Sequence, residues 1–103
     1  MNQESNRELA IKEAQASQAE VRQDLRWLMS ERRGRRIVWR LLSDAGVFQL
    51  SFHTNAMQMA FNEGIRNKGL KMLNDLLANC PELYTRMVEE ANERNTSGHK
   101  SDN

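Results

Sequence analysis

The chain has 103 residues, 39% hydrophobic and 28% charged, with a mean hydropathy of -0.78, so it can bury one small core and must leave some of itself outside it. Fifteen Lys and Arg against fourteen Asp and Glu give a formal net charge of +1, which excludes the strong basic excess of a dedicated nucleic-acid binder and makes any basic signal local. A single cysteine, Cys80, excludes an internal disulfide and argues against a cysteine-based zinc site; no apolar stretch suits a signal peptide or a membrane span of roughly 20 residues, so a soluble, non-secreted chain is expected.

Ser5-Asn6-Arg7-Glu8 has the form of a capping box and predicts a helix start there. From Arg7 to about Met29 the chain is rich in Ala, Glu, Gln, Arg and Leu and lacks Pro and Gly, a composition that favours helix throughout. Ile11, Ala14, Gln18, Val21, Leu25 and Leu28 fall on alternating spacings of three and four, with Gln18 the polar position. Two readings stay open: a short coiled-coil seam for an oligomer or partner, or a helix that packs only through its Val21 to Met29 end.

Ser30 is placed to cap a second helix reaching about Ala45, with Gly34 near its start as a loose point or a site of close backbone approach. Ile37, Leu41 and Ala45, with Val38 and Leu42 beside them, define its expected core side. Arg32, Arg36 and Arg40 form a row at i, i+4 and i+8, flanked by Arg33 and Arg35. Four basic residues within five positions near a helix N-terminus oppose the macrodipole, so something other than helix stability is expected to hold them. Three environments fit: carboxylates of the same chain or a neighbouring subunit, nucleic-acid phosphate, or plain solvent. Arginine at every position favours planar, bidentate partners.

Gly46 is a natural left-handed cap for that helix. The connection from Val47 to Asn55 carries Val47, Phe48 and Phe52 and is expected to fold back onto the core; it is too long for the turn of about 3–4 residues in a helix-turn-helix. Asn55, with Gln58 three residues on, caps a third helix reaching about Asn79, whose expected buried stripe is Met57, Phe61, Ile65, Met72, Leu73, Leu76 and Leu77. Gly64 and Gly69 each cost this helix about 1 kcal/mol relative to alanine, which close helix-helix contact would offset. Glu63 and Arg66 are expected to anchor a polar network or subunit interface with Arg35, Arg36 and Arg40, Glu63 pairing with Arg36 or Arg40. Pro81 opens a fourth helix with Tyr84, Met87, Val88 and Ala91 inward, and after about Arg94 a polar tail without periodicity is expected to be disordered.

Catalytic arrangements are scarce. His53 and His99 have no companion at ligand or triad spacing, Cys80 could meet His53 in three dimensions but as a lone cysteine beside a proline reads as inert, and Glu89 and Glu90 are adjacent and point apart on a helix. No enzyme, cofactor, metal or small-molecule substrate is expected.

The stretch from about Leu28 to Ala91, with "GRRIVWRLLSDAGVF", "SF", "FNEGIRNKGL" and "PELYTRMVEEA" in order, resembles a small family of short-tailed bacteriophage proteins typified by a Bordetella phage member and encoded among virion structural genes. The family's hallmark positions correspond to Gly34, Arg35, Arg36, Trp39, Gly46, Phe52, Glu63, Gly64, Arg66, Gly69 and Pro81; Cys80 stands where the family often has aspartate, a better helix cap.

The expected fold is all-α: a small antiparallel helical bundle of three core helices (31–94) preceded by a long N-terminal helix (1–30), with a disordered C-terminal tail (95–103). The resemblance implies a virion-associated structural or assembly protein, internal, ejected, or an adaptor near the portal and tail. It would act in the virion, and in the host cytoplasm during assembly, as a homo-oligomer and with other virion proteins. The alternative is an accessory nucleic-acid-binding protein that sets Arg32, Arg33, Arg35, Arg36 and Arg40 on phosphates, packaged DNA among them.

Overall fold

The computed structural model describes residues 2–49 and 55–101, with side chains described to residue 96. Four helices follow one another: α1 Gln3–Met29, α2 Arg32–Asp44, α3 Ala56–Asn79 and α4 Pro81–Ser101, with no strand among the described residues. None of the helices is long and apolar enough to cross a membrane.

The punctuation is local chemistry. α1 begins earlier than the capping box suggests: the Asn6 amide already donates to the Asn2 carbonyl at 3.1 Å, so Ser5 lies inside the first turn and makes no cap. Ser30 does not cap α2; its hydroxyl donates back to the Trp27 carbonyl at 2.7 Å and closes α1, while Glu31 takes the cap position without a side-chain bond. At the end of α2 the Gly46 amide donates to Ser43 and the Val47 amide to Leu42, with Gly46 at φ +79: the Schellman arrangement, completed by the buried pair Leu42 and Val47. The Asn55 carboxamide accepts from the amides of Met57 (2.9 Å) and Gln58 (3.1 Å) and starts α3. The Gln58 side chain turns instead to Asn62, at 3.0 Å.

The core is small and sits where the four helices meet. Leu25 and Met29 enter from α1, Val38 and Leu42 from α2, Val47 from the connection, Leu76 and Cys80 from the end of α3, and Met87 from α4. α2 is turned by one residue from its expected orientation. Val38 and Leu42 are buried with Gly34 and Arg35, whereas Ile37 and Leu41 are exposed. The turn is set from the helix start: at Gly34 an added Cβ would overlap the Leu28 carbonyl oxygen, so the backbones of α1 and α2 meet there.

The stripe expected on α3 is buried only toward its C-terminal end. Leu76 is buried and Met72 and Leu73 pack at the core edge, while Met57, Phe61, Ile65 and Leu77 are exposed. The core lies at one end of this helix, so the first half projects beyond it. The same holds for α1, in which every described residue from Asn2 to Asp24 is exposed and only Leu25 and Met29 are buried. Hence the radius of gyration is 18.6 Å and the body measures 72 × 38 × 15 Å, against about 13 Å expected of a compact 100-residue domain. Helical backbone in α4 continues to Ser101, into the segment that reads as a polar tail, although beyond Ala91 none of the described side chains is buried. Phe52 and His53, placed by the sequence in the connection, lie outside the described residues.

The two glycines of α3 separate. A Cβ at Gly69 would collide with Val47 Cγ2 and lie 2.9 Å from the Ala45 Cβ, whereas at Gly64 nothing lies within 4 Å. Gly69 is therefore a close-contact site and Gly64 is not. Urea denaturation should show Gly69→Ala destabilising by about 1–3 kcal/mol through overpacking, and Gly64→Ala stabilising by about 0.5–1 kcal/mol through helix propensity. Equal effects at the two positions would contradict this packing.

Candidate functional site

Two charged residues fall on the buried stripes of their helices, and they meet. Arg35 shares its face of α2 with Val38 and Leu42, and Glu90 shares its face of α4 with Met87 and Ala91. Arg35 is 4% and Glu90 7% exposed. The guanidinium fork is bidentate: Nε donates to Oε1 at 2.9 Å and Nη2 to Oε2 at 2.8 Å. Its remaining arm, Nη1, donates to the Met29 carbonyl at 2.8 Å, a terminal acceptor of α1 that has no partner within its own helix. One side chain thus joins α1, α2 and α4. No buried side-chain nitrogen or oxygen among the described residues is left without a partner.

The electrostatics follow from that geometry. Hydrogen bonding to Arg35 holds the Glu90 carboxyl below its ordinary value of 4.5, outweighing the opposing effect of burial, and the nearby charges of Arg35, Arg32 and Arg86 act in the same direction. The bond to Glu90 raises the Arg35 pKa against burial. Arg32 Nε lies 3.7 Å and Arg86 Nε 4.0 Å from Glu90 Oε2, and Arg32 Nη2 reaches Glu93 at 3.3 Å, so the buried pair sits under a looser, exposed layer of charge. Arg26 and Glu82 pair at 2.8 Å and tie α1 to the first turn of α4.

Glu63 pairs with neither Arg36 nor Arg40. It accepts from Arg66 Nη1 at 3.0 Å on its own helix, and Arg66 Nε donates to the Gln49 carbonyl at 2.8 Å, fastening α3 to the connection. The carboxylate that meets the α2 arginines is Glu90. The detectable sign was its position three residues after Met87 on the apolar face of α4; a glutamate on such a stripe needs a buried cation. Cys80 is fully buried, and desolvation pushes its thiol pKa up, which suits core packing and opposes a nucleophilic role. Among the described residues no group of three His, Cys, Asp or Glu side chains comes together as a metal site.

The five arginines of α2 therefore divide. Arg35 and Arg32 are engaged by α4, while Arg33, Arg36 and Arg40 have no carboxylate partner among the described residues, Asp44 included. Arg36 and Arg40 open onto a shallow groove of about 330 Å³ between α2 and α4, completed by Ser43, by Arg94 and Asn95 of α4, and by Trp39. Trp39 is braced from behind by Phe48, their rings stacked with centroids 4.9 Å apart. Among the described residues, three guanidinium groups without an ion pair line this groove and no carboxylate does. Of the predicted seam, Leu25 is in the core and Leu28 against it; Ile11, Ala14, Gln18 and Val21 stand exposed along the free part of α1.

Residues 25–89 match the family model described as Bbp19-like phage protein, a span that contains Arg35 and the α2 side of the groove, stops one residue short of Glu90, and includes none of the free part of α1. No curated protein and no solved structure matches the chain.

Because its folded-state carboxyl titrates below the unfolded value, Glu90 contributes stability that is fully present above pH 4.5 and is lost as pH falls through the folded value. Glu90→Gln at pH 7 should cost about 3–5 kcal/mol, since it leaves a buried guanidinium without its counter-charge, while Arg35→Met combined with Glu90→Leu should recover most of that loss. Glu63→Gln, in a partly exposed pair, should cost under about 1 kcal/mol. Urea titration of the variants checks the order; a Glu90→Gln protein as stable as the parent would contradict it.

Proposed function

Since the chain belongs to the Bbp19-like phage protein family, we propose that it is a virion-associated structural or assembly protein of a short-tailed phage, acting through protein-protein contacts as a homo-oligomer and with other virion proteins. An internal or ejected protein and an adaptor near the portal and tail are the two places that such a part would fill. The reading is one of binding, not of catalysis.

The observation that carries it is the apolar surface that the monomer leaves in water. Met57 is 84%, Phe61 65% and Ile65 41% exposed, in one row at i, i+4 and i+8 along the projecting half of α3. Trp27 is 77% and Leu41 60% exposed. A contiguous row of large apolar side chains on so small a body marks a contact surface. A free helical segment and a 15 Å thin body also suit a part that is completed by its neighbours.

A second reading has its own observation. The unpaired Arg36, Arg40 and Arg94 could sit on phosphates, making the protein an accessory nucleic-acid binder. Three phosphate contacts would give log K against log salt a slope of about -2.7 on plain duplex DNA.

Mass spectrometry of purified particles separates the two. Peptides of this chain should appear at a fixed ratio to the major virion proteins. Presence in infected cells with absence from particles, together with steep salt-dependent binding to duplex DNA, would replace the structural reading with the second.

A further inference from the structure

Charge is not spread evenly along the chain. Residues 1–24 carry five acidic and three basic side chains, and the rest carries twelve basic and nine acidic. The acidic excess of α1 has a direction. Its inner side is marked by Leu25 and Met29, the α1 residues buried in the core, and residues between Gln15 and Gln23 line a groove against Lys71 and Asp75 of α3. At 3.6 residues per turn, Glu13, Glu20 and Asp24 lie roughly half a turn from Leu25 and Met29, on the edge facing away from the core.

Those three carboxylates have no partner in the monomer. No basic residue stands three or four positions from any of them, and none makes an ion pair among the described residues. Arg36 and Arg40 are in the complementary condition, with other arginines one turn away and no ion pair of their own. Like charges at that spacing destabilise a helix by a few tenths of a kcal/mol per pair, a cost that a bound anion removes.

We propose that the free part of α1 from one copy docks along the α2–α4 groove of a second copy, with Glu20 and Asp24 on Arg36 and Arg40. This rests on the reading of assembly through protein contacts. Both pairs are spaced i, i+4, which is about 6 Å along a helix axis, so helices lying side by side bring both carboxylates to both guanidinium groups in one register. Arg94 adds a third cation to the same groove, and Trp39 gives it an apolar wall. The occupant is another copy because α1 has no Gly or Pro at which to fold back, and its acidic edge already faces away from its own body. The contact is heterologous, the arm of one copy on the groove of the next, and repetition closes a ring or extends a filament. The exposed residues Ile11, Ala14 and Val21 travel with the arm but lie toward its other side, so the contact is carried by charge.

Sedimentation velocity over a concentration series tests it with full-length protein, two charge-reversed variants, Arg36→Glu with Arg40→Glu and Glu20→Arg with Asp24→Arg, and their equimolar mixture. Circular dichroism confirms that each variant is folded. The parent should associate in a manner weakened by salt, and each variant alone should associate at least about tenfold more weakly, which corresponds to about 1.4 kcal/mol. The mixture should restore association, because the native arm of the groove variant meets the native groove of the arm variant, and the reciprocal contact is the same pair inverted. A parent that stays monomeric, reversals without effect, or a mixture that fails to restore association would each overturn the docking. Arginine reversal that abolishes duplex-DNA binding while leaving association intact would assign the groove to phosphate and overturn it too. All of these leave the presence of the protein in particles as a separate result.

Discussion

The fold is organised around one guanidinium group. Arg35 occupies both oxygens of Glu90 and the last carbonyl of α1, and so holds three helices at one point. Its environment resolves what looks unfavourable in the sequence. A cation at the start of α2 opposes that helix's dipole, but the same atom group lies at the C-terminal end of α1, where the dipole favours it, and against a carboxylate excluded from water. A buried pair of this kind adds little net stability compared with apolar residues of the same size. What it contributes here is position: the fork accepts one geometry, which together with the Gly34–Leu28 backbone contact holds α2 with Val38 and Leu42, not Ile37 and Leu41, facing inward.

Much follows from how little else the core contains. Eight buried residues form its connected cluster, drawn from the ends of α1 and α3 and from parts of α2, α4 and the connection. Among the described residues, the distal halves of α1 and α3 have no core to pack against. The arginines divide by the same logic. Those within reach of Glu90 and Glu93 are engaged, and those one turn further along α2 are left facing solvent beside Arg94. A basic row that looks uniform in sequence divides in three dimensions into arginines engaged by α4 and arginines with no carboxylate partner among the described residues.

The sequence revealed the elements better than their orientation. Gly46, Asn55 and Pro81 act through backbone chemistry that is nearly context-free, and the helices stop and start at them. Ser5 and Ser30 carry weaker signals, and each lost to a helix that was already running past it or ending on it. Periodicity identified an apolar stripe on α3 but not how much of it would be covered, because coverage depends on where the other helices end. The same limit hid the pairing of Arg35. Its own stripe and that of Glu90 were both readable, yet Glu63 lay in a conspicuous glycine-flanked motif and drew attention that its exposed, local bond to Arg66 does not justify. Of the two glycines in that motif, only Gly69 has a neighbour close enough to require it.

The phage family match runs from Leu25 to Glu89, so it includes Arg35 and the helices that Arg35 joins, ends immediately before Glu90, and leaves the projecting arm of α1 outside. The junction itself is open to direct measurement through the carboxyl carbon of Glu90, followed by NMR as pH is lowered on the folded protein. The resonance should titrate below 4.5 in the parent chain and move upward after Arg35→Met, where burial is opposed only by the exposed charges of Arg32 and Arg86. A Glu90 that titrates at or above the ordinary glutamate value in the parent, unmoved by loss of Arg35, would mean that the two side chains do not meet and that something else holds the helices together.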